Sequence, residues 1–284
     1  MHPRDSVIPN LIHDLNRSVS TALAEDVGTG DISAQLIPAD RRARARIVTR
    51  EACTLCGRAW VDEVFRQLDP DLRLTWRFDD GDRVDAGAVL LELEGKARSI
   101  LTGERTALNF LQTLSGTATV AAHYAACAGN NQIRVLDTRK TIPGLRSAQK
   151  YAVLCGGCNN HRFGLYDAFL IKENHIAAAG GIASAVSQAH AIKADALVEV
   201  EVESLDELRQ ALAAGADVIM LDEFSDADTK TALELARGKA QIEISGSVDS
   251  ERLRQLAQLE VDSVSCGSLT KHLRAIDLSL RIDL

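Results

Sequence analysis

Aromatic residues are scarce in this chain: Phe, Trp and Tyr together make up 4% of its 284 residues. That scarcity argues against a surface for single-stranded nucleic acid, whose bases are bound by stacking on aromatic side chains. Positive charge is in deficit too. The formal net charge is -8, which suits a phosphate backbone poorly, because such a backbone is gripped by many Lys and Arg at once. No run of about 18 apolar residues occurs, so no membrane-spanning helix is expected. The N-terminus lacks the charged-then-apolar pattern of a secretory leader. These absences lead to the expectation of a soluble, cytoplasmic protein with neither nucleic acid nor membrane as partner. A hydrophobic content of 46% is enough for a sizeable core, in one large α/β domain or two modest ones.

Cysteine is not scarce. Of six cysteines, Cys53 and Cys56 form one C-x-x-C pair and Cys155 and Cys158 another. Two such pairs can build a zinc site. Here they stand far apart in sequence, in segments that read as different domains, with apolar or glycine-rich flanks. Reduced cytosolic thiols are the expectation.

The first hundred residues read as a mixed α+β domain. Leu11, Leu15, Val19 and Leu23 recur at helical spacing over Ile8 to Glu25. Arg41 to Arg50 and Leu72 to Phe78 alternate like half-buried strands, and Gly57 to Leu68 reads as a helix. Gly81 to Glu94 has the turn-and-strand look of a biotinyl or lipoyl carrier, without a Lys on a hairpin to carry the group. A long helix follows, about Ser99 to Cys127, with Arg105, Asn109, Gln112 and Gly116 on its polar or small face.

From there the rhythm is strand, loop, helix. Strands are expected at 133–137, 168–172, 196–202, 217–222, 241–245 and 261–267. Ser204 with Glu207 three residues on marks a capping box. Repeated βα units imply parallel strands with right-handed crossovers. An α/β barrel, open or incomplete, fits better than a doubly wound sheet, because nearly every strand ends in a functional side chain or a glycine. In a barrel those ends converge on one mouth.

The densest functional stretch is Thr138 to Lys172. It holds Arg139, Lys140, Arg146, Lys150, His161, Arg162 and Lys172, and its only acid is Asp167. A basic island in an acidic chain points to a small, densely anionic ligand, since Arg forks match carboxylates and phosphates and Lys adds point charge. Ser245-Gly246-Ser247 and Cys266-Gly267-Ser268 offer backbone N–H groups for a phosphate. Glu201 and Asp222 stand opposite, as partners for a divalent metal bound with substrate phosphates or for a developing positive charge.

Several blocks resemble the motifs of the quinolinate phosphoribosyltransferase family. They are Arg105-Thr-Ala-Leu-Asn-Phe, Asp137-Thr-Arg-Lys-Thr-Ile-Pro-Gly-Leu-Arg, Asn160-His161-Arg162-Phe-Gly-Leu, Leu170-Ile-Lys172-Glu-Asn-His175 and Glu199-Val-Glu201-Val. The resemblance covers almost the whole chain. It implies transfer of phosphoribosyl from phosphoribosyl pyrophosphate to quinolinate with loss of CO₂, giving nicotinate mononucleotide and pyrophosphate, with Mg²⁺. It implies an N-terminal α+β sandwich over residues 1–103 and an open α/β barrel over 104–271, with the tail 272–284 packed on the sandwich. It also implies a homodimer, alone or in a larger assembly, whose sites are shared. Carried over residue by residue, Arg139, His161 and Arg162 grip the dicarboxylate, and Arg105 reaches in from the neighbouring subunit. Lys140 and Lys172 serve the anionic groups, Glu201 and Asp222 the ribose and its metal, and Ser245, Gly246, Ser247 and Gly267 the 5′-phosphate. Two departures stand out: Glu223 where the family pattern has Asn, and Cys158-Asn159 where it has smaller residues. Lys271-His272 has no assigned role. Rival readings are a phosphoribosyltransferase for nicotinate, a carrier module built on Gly81 to Glu94, and a Schiff-base aldolase using Lys172.

Overall fold

The computed structural model describes residues 4–129, 133–259 and 261–283, with side chains from residue 14 onward. In chain order the elements are α1 (Arg4–Val27), β1 (Arg42–Thr49), β2 (Cys53–Thr54), α2 (Arg58–Leu68), β3 (Arg73–Trp76), β4 (Arg83–Val84), β5 (Val89–Lys96) and α3 (Ala97–Ala128). Then come β6 (Arg134–Leu136), α4 (Arg146–Cys155), β7 (Phe169–Ile171), α5 (Glu173–Ala179), α6 (Ile182–Ile192), β8 (Val198–Val202), α7 (Leu205–Ala214) and β9 (Val218–Asp222). The chain closes with α8 (Asp226–Ala236), β10 (Gln241–Ser245), α9 (Ser250–Leu256), β11 (Ser263–Ser265), α10 (Ser268–Lys271) and β12 (Leu278–Asp283).

Two compact units are present, and both are discontinuous in sequence. The first comprises residues 1–123, 141–157 and 269–284, the second 124–140 and 158–268. The division falls inside α3 rather than at the expected 103/104. A long helix has no local signal for where its neighbours change, because its apolar stripe simply runs on.

The first unit is a four-stranded sheet in the order β12-β1-β5-β3 with helices packed on it. β1 alternates as its sequence demands: Ala43, Ala45, Ile47 and Thr49 are buried while Arg42, Arg44 and Arg46 are exposed. The tail adds β12 antiparallel to β1, from Arg44 opposite Asp283 to Thr49 opposite Leu278. Leu15, Val19 and Leu23 of α1 join Trp60, Val61, Val64 and Phe65 of α2 in one apolar core, and burial of each large side chain contributes about 1.5–3 kcal/mol. Leu11, in the same expected stripe, lies outside the described side chains.

Two close approaches organise this unit. At Gly116 of α3 a Cβ would come 2.3 Å from the Arg274 carbonyl oxygen, so the chain 274–276 lies directly on the helix, where the Ile276 N–H donates to the Gln112 carbonyl at 3.1 Å. Helix propensity alone favours alanine at this site by about 1 kcal/mol. The contact reverses that sign: Gly116→Ala is expected to destabilise by about 2 kcal/mol through overpacking, read as a lower urea midpoint.

The second approach brings the two C-x-x-C motifs together. Cys56, Cys155 and the Asp80 carboxylate have ligand atoms within 4.8 Å of one another. The expected separation of the motifs into different domains is thus corrected for these two cysteines, which share the first unit. Asp80 acts here as an external cap for α2. Its Oδ1 accepts from the Gly57 and Arg58 N–H groups at 3.0 and 3.2 Å, and its Oδ2 accepts from the Tyr151 hydroxyl at 3.0 Å. Burial pushes the Cys56 thiol well above its ordinary range.

The second unit is a six-stranded parallel sheet in the order β6-β11-β10-β9-β8-β7. It is open among the described residues: β6 and β7 are its edges, and beyond β6 only a single parallel bridge, Leu136 to Asn159, extends it. Strands β8, β9 and β10 have two unlike faces. Val198, Val200, Val202, Ile219, Leu221 and Ile242 are buried under α6, α7 and α8. The alternate residues, Glu199, Glu201, Met220, Asp222, Glu243 and Ser245, therefore line the other face.

Candidate active site

The polar face of that sheet is where the expected functional residues gather. Register sets their heights. Ser245 lies opposite Asp222 across β10 and β9, and Glu201 is opposite Met220, one inward position lower than Asp222. Ile171 is opposite Val200, which puts Lys172, just past β7, level with Glu201. Lys172 and Glu201 form an ion pair through Nζ and Oε2, with Glu201 nearly buried and Lys172 half exposed. The opening of α5 holds Lys172 in place, because its N–H donates to His175 Nδ1 at 3.0 Å.

At the other end, Lys140 lies over Gly267. A Cβ at Gly267 would sit 3.1 Å from Lys140 Cδ and 3.8 Å from its Nζ. Only a residue without a side chain leaves the lysine that course. Gly246 has φ +125°, a conformation other residues rarely adopt, and a Cβ there would come 3.2 Å from Glu223 Oε1. Glu223 is itself left-handed, with φ 53°, the conformation that Asn tolerates best among non-glycine residues. The departure from the family pattern therefore places a carboxylate beside the 245–247 loop. The start of α9, which follows this loop, is capped from within, since Asp249 accepts from the Glu251 and Arg252 N–H groups at 3.0 and 2.8 Å.

The segment 159–162 is held tightly. The Asn159 N–H donates to the Val135 carbonyl at 2.7 Å, and the Asp137 N–H to the Asn159 carbonyl at 3.0 Å. Asp137, fully buried, accepts from Asn160 Nδ2 at 2.6 Å and from the His161 N–H at 2.9 Å. Arg162 donates from Nη1 to the Ala168 carbonyl at 3.0 Å, across the stretch that leads to β7. Burial, and then the positive field of Arg139, draw the Arg162 guanidinium below its ordinary range, with Glu199 and Asp167 opposing. Arg139 and Arg162 are thus two half-buried cations near enough to repel each other. Such a pair is stabilised by an anion that takes both forks.

Below them is a cluster that reading the sequence did not single out. His161 Nε2 is 3.0 Å from Glu199 Oε2 and 3.5 Å from Glu243 Oε1, and all three side chains are nearly buried. The Glu199 and Glu243 Oε1 atoms have no hydrogen-bond partner among the described residues. Burial first, and then the charge of Glu199, push the Glu243 carboxyl up to about 7, against the pull of His161, Ser265 and Ser263. The signal was present in Val198-Glu-Val-Glu-Val202 and Gln241-Ile-Glu-Ile-Ser245. A parallel strand covered on both faces reads as continuous apolar sequence, so a regularly placed Glu marks a polar interior.

Of the expected site residues, Arg139, Lys140, His161, Arg162, Lys172, Glu201, Asp222, Ser245, Gly246, Ser247 and Gly267 all fall in the second unit. Arg105 does not: it is exposed on α3 in the first unit. Among the described residues no helix is long and apolar enough to cross a membrane.

Comparison with known proteins places the chain in one family. The model of the quinolinate phosphoribosyl transferase N-terminal domain matches residues 31–115, and that of its C-terminal domain residues 117–281. A probable nicotinate-nucleotide pyrophosphorylase (carboxylating) of Bacillus subtilis is 39% identical over 95% of this chain and 94% of its own. A chloroplastic nicotinate-nucleotide pyrophosphorylase (carboxylating) of Arabidopsis thaliana is 40% identical over 95% of this chain and 83% of its own. The solved structure of nicotinate-nucleotide pyrophosphorylase from Francisella tularensis superposes with a TM-score of 0.93 at 51% identity, covering 95% of this chain and 96% of that one.

Proposed function

The chain belongs to the quinolinate phosphoribosyltransferase family, and we propose that it transfers phosphoribosyl from phosphoribosyl pyrophosphate to quinolinate, releasing pyrophosphate and CO₂ and forming nicotinate mononucleotide for NAD biosynthesis. The observation that carries this reading is the juxtaposition of Arg139 and Arg162, half-buried like charges near enough to repel each other. A planar dicarboxylate answers both forks, where a monocarboxylate leaves one unanswered. This favours quinolinate over nicotinate.

Roles follow from position. Arg139 and Arg162 bind the two carboxylates. Lys140 and Lys172 face the phosphates, and the amides of 245–247 with Gly267 receive the 5′-phosphate. As pyrophosphate leaves C1 of the ribose, positive charge develops there, and Glu201 and Asp222 stabilise it. The ring nitrogen attacks C1. The quaternised ring then accepts the electron pair freed as the adjacent carboxylate departs as CO₂, and that ring carbon takes up a proton. Glu201 and Asp222 are hard oxygen donors on neighbouring strands, which fits Mg²⁺ as the ion they would hold together with substrate phosphates. When bound, Mg²⁺ supplies charge neutralisation for the pyrophosphate. The reading includes a homodimer in which Arg105 serves the neighbouring subunit's site, supported by its exposure on a polar helix face, and a cytoplasmic location.

Purified protein with quinolinate, phosphoribosyl pyrophosphate and Mg²⁺ is expected to yield nicotinate mononucleotide and CO₂ together, and neither from nicotinate. Mononucleotide from nicotinate alone would overturn the assignment of the arginine pair. Loss of activity on reduction with borohydride in the presence of a carbonyl compound would favour Schiff-base chemistry at Lys172 instead.

A further inference from the structure

Family resemblance puts His161 on the substrate dicarboxylate, yet its ring is already committed inward. Nδ1 accepts the Arg162 main-chain N–H at 2.7 Å. A backbone N–H can only donate, so Nδ1 carries no proton. The imidazole is therefore neutral, with its proton on Nε2, and that atom faces Glu199 Oε2 at 3.0 Å and Glu243 Oε1 at 3.5 Å. An imidazolium making an ordinary salt bridge to two carboxylates is incompatible with this arrangement.

We propose that Glu199 and Glu243 are positioning residues for substrate recognition: they hold His161 as an internal strut, which fixes the main chain at Arg162 and so aims that guanidinium, rather than leaving His161 as a ligand of the substrate. The inference rests on the quinolinate reading of the site. The strut has two ends. Its lower end is the carboxylate pair on the floor of the polar face, β8 supplying Glu199 and β10 supplying Glu243. Its upper end is the Arg162 N–H, one residue from the His161 N–H that Asp137 already holds at 2.9 Å. Consecutive amides are thereby tied to two different strands, β6 through Asp137 and β8 through the ring. Arg162 Nη1 is tied at its far end to Ala168. With both the base and the tip of the side chain restrained, the guanidinium has little freedom left, which is what a rigid fork for a carboxylate requires. Glu243 Oε2 lies 3.4 Å from Ser263 Oγ, so the floor is itself anchored to β11.

The test uses the full-length protein in two measurements. In ¹⁵N-histidine NMR, with His161 assigned by its loss in His161→Ala, the ring is expected to show an unprotonated Nδ1 and a protonated Nε2 at neutral pH. An imidazolium, or the opposite tautomer, would overturn the proposal, and so would a stoichiometric metal ion bound through this ring. This measurement stands whether or not the enzyme turns over quinolinate. In kinetics, Glu199→Gln and His161→Ala are each expected to raise KM for quinolinate about tenfold while kcat and KM for phosphoribosyl pyrophosphate stay within about twofold. The double variant is expected to be no worse than His161→Ala alone, because the two residues act through one strut. Additive losses, or equal losses in kcat and in both KM values, would show a general structural role and sink the proposal. A wild-type protein inactive on quinolinate would instead defeat the functional reading, leaving the tautomer to decide the strut.

Discussion

Arg162→Ala is expected to lower kcat/KM for quinolinate by about a thousandfold, corresponding to about 4 kcal/mol, while KM for phosphoribosyl pyrophosphate changes little. The size follows from desolvation. Arg162 is half-buried, and burial already works against its charge. Truncating one partner of a desolvated charge pair costs about 2–5 kcal/mol, more than an exposed pair could. Arg162→Lys keeps the charge but loses the fork, so it is expected to recover only part of the loss. The fold is expected to survive, since the hydrogen bond lost is one from Nη1 to the Ala168 carbonyl. A thermal unfolding curve separates the two effects: a folded variant with unchanged saturation by quinolinate would remove Arg162 from the binding site. Arg139→Ala has a second consequence that follows from the same geometry. It removes the repulsion that a bound dicarboxylate relieves, so each single variant loses that relief along with its own contact, and the double variant, which loses it only once, is expected to lose less than the sum of the two.

Much of this was legible in the sequence because the relevant signals are local. The six strands of the parallel sheet sit where alternation and turn residues placed them, with no end displaced by more than two residues. β1 repeats the Arg-Ala alternation of its sequence in its burial, and the basic island lies in the second unit around Arg139, Lys140 and Arg162 apart from Arg146 and Lys150, which belong to the first. What was not legible depended on contacts across long sequence separation. Glu243 is 82 residues from His161 in numbering, and nothing local says that a Glu on one strand will lie under a His on a loop. The capping box at Ser204 shows the finer limit. Ser204 Oγ does accept from the Glu207 N–H at 3.3 Å, but the Glu207 carboxylate reaches the Glu203 N–H at 2.8 Å rather than that of Ser204. The pattern gives the helix start, and tertiary context chooses which amide is satisfied. The unit boundary inside α3 escaped for the same reason as Cys56 and Cys155: chain returns at 141–157 and 269–284 leave no mark on the stretches they join.

Glu243→Gln is expected to make the protein more stable at pH 8 and to leave it nearly unchanged at pH 5. Glu243 is raised from 4.5 to about 7 in the folded state, first by burial and then by Glu199. Between those values the folded protein holds a proton that the unfolded chain has released. Stability therefore falls as pH rises: this group's favourable contribution is complete below about 4.5 and is lost as pH climbs through about 7. The full span is on the order of 3 kcal/mol, since each pH unit of displacement is worth about 1.4 kcal/mol. The groups facing Glu243 are known from the same cluster. Glu199 of β8 opposes its ionisation, while the hydroxyls of Ser263 and Ser265 favour it; His161 pulls in the same direction only as far as it carries charge, so a neutral ring leaves the carboxyl higher still. Cys266, after β11, adds no charge across this range, because burial, Cys158 and Glu243 itself push its thiol up to about 12. Glutamine keeps the shape and offers an amide where the acid held its proton, so the variant escapes the penalty that the parent meets above neutrality. Urea unfolding of both proteins from pH 5 to pH 8 reads Glu243 together with its neighbours Glu199 and His161, because titrations elsewhere cancel in the difference between the two proteins. A difference that grows with pH in favour of Glu243→Gln is the expected result. A difference independent of pH would mean that Glu243 is already ionised at pH 5, and that two buried carboxylates are held charged by one neutral imidazole. That arrangement would cost more than the single Nε2–H could offset, so His161 would then have to be the imidazolium, with its Nδ1 turned away from the Arg162 amide.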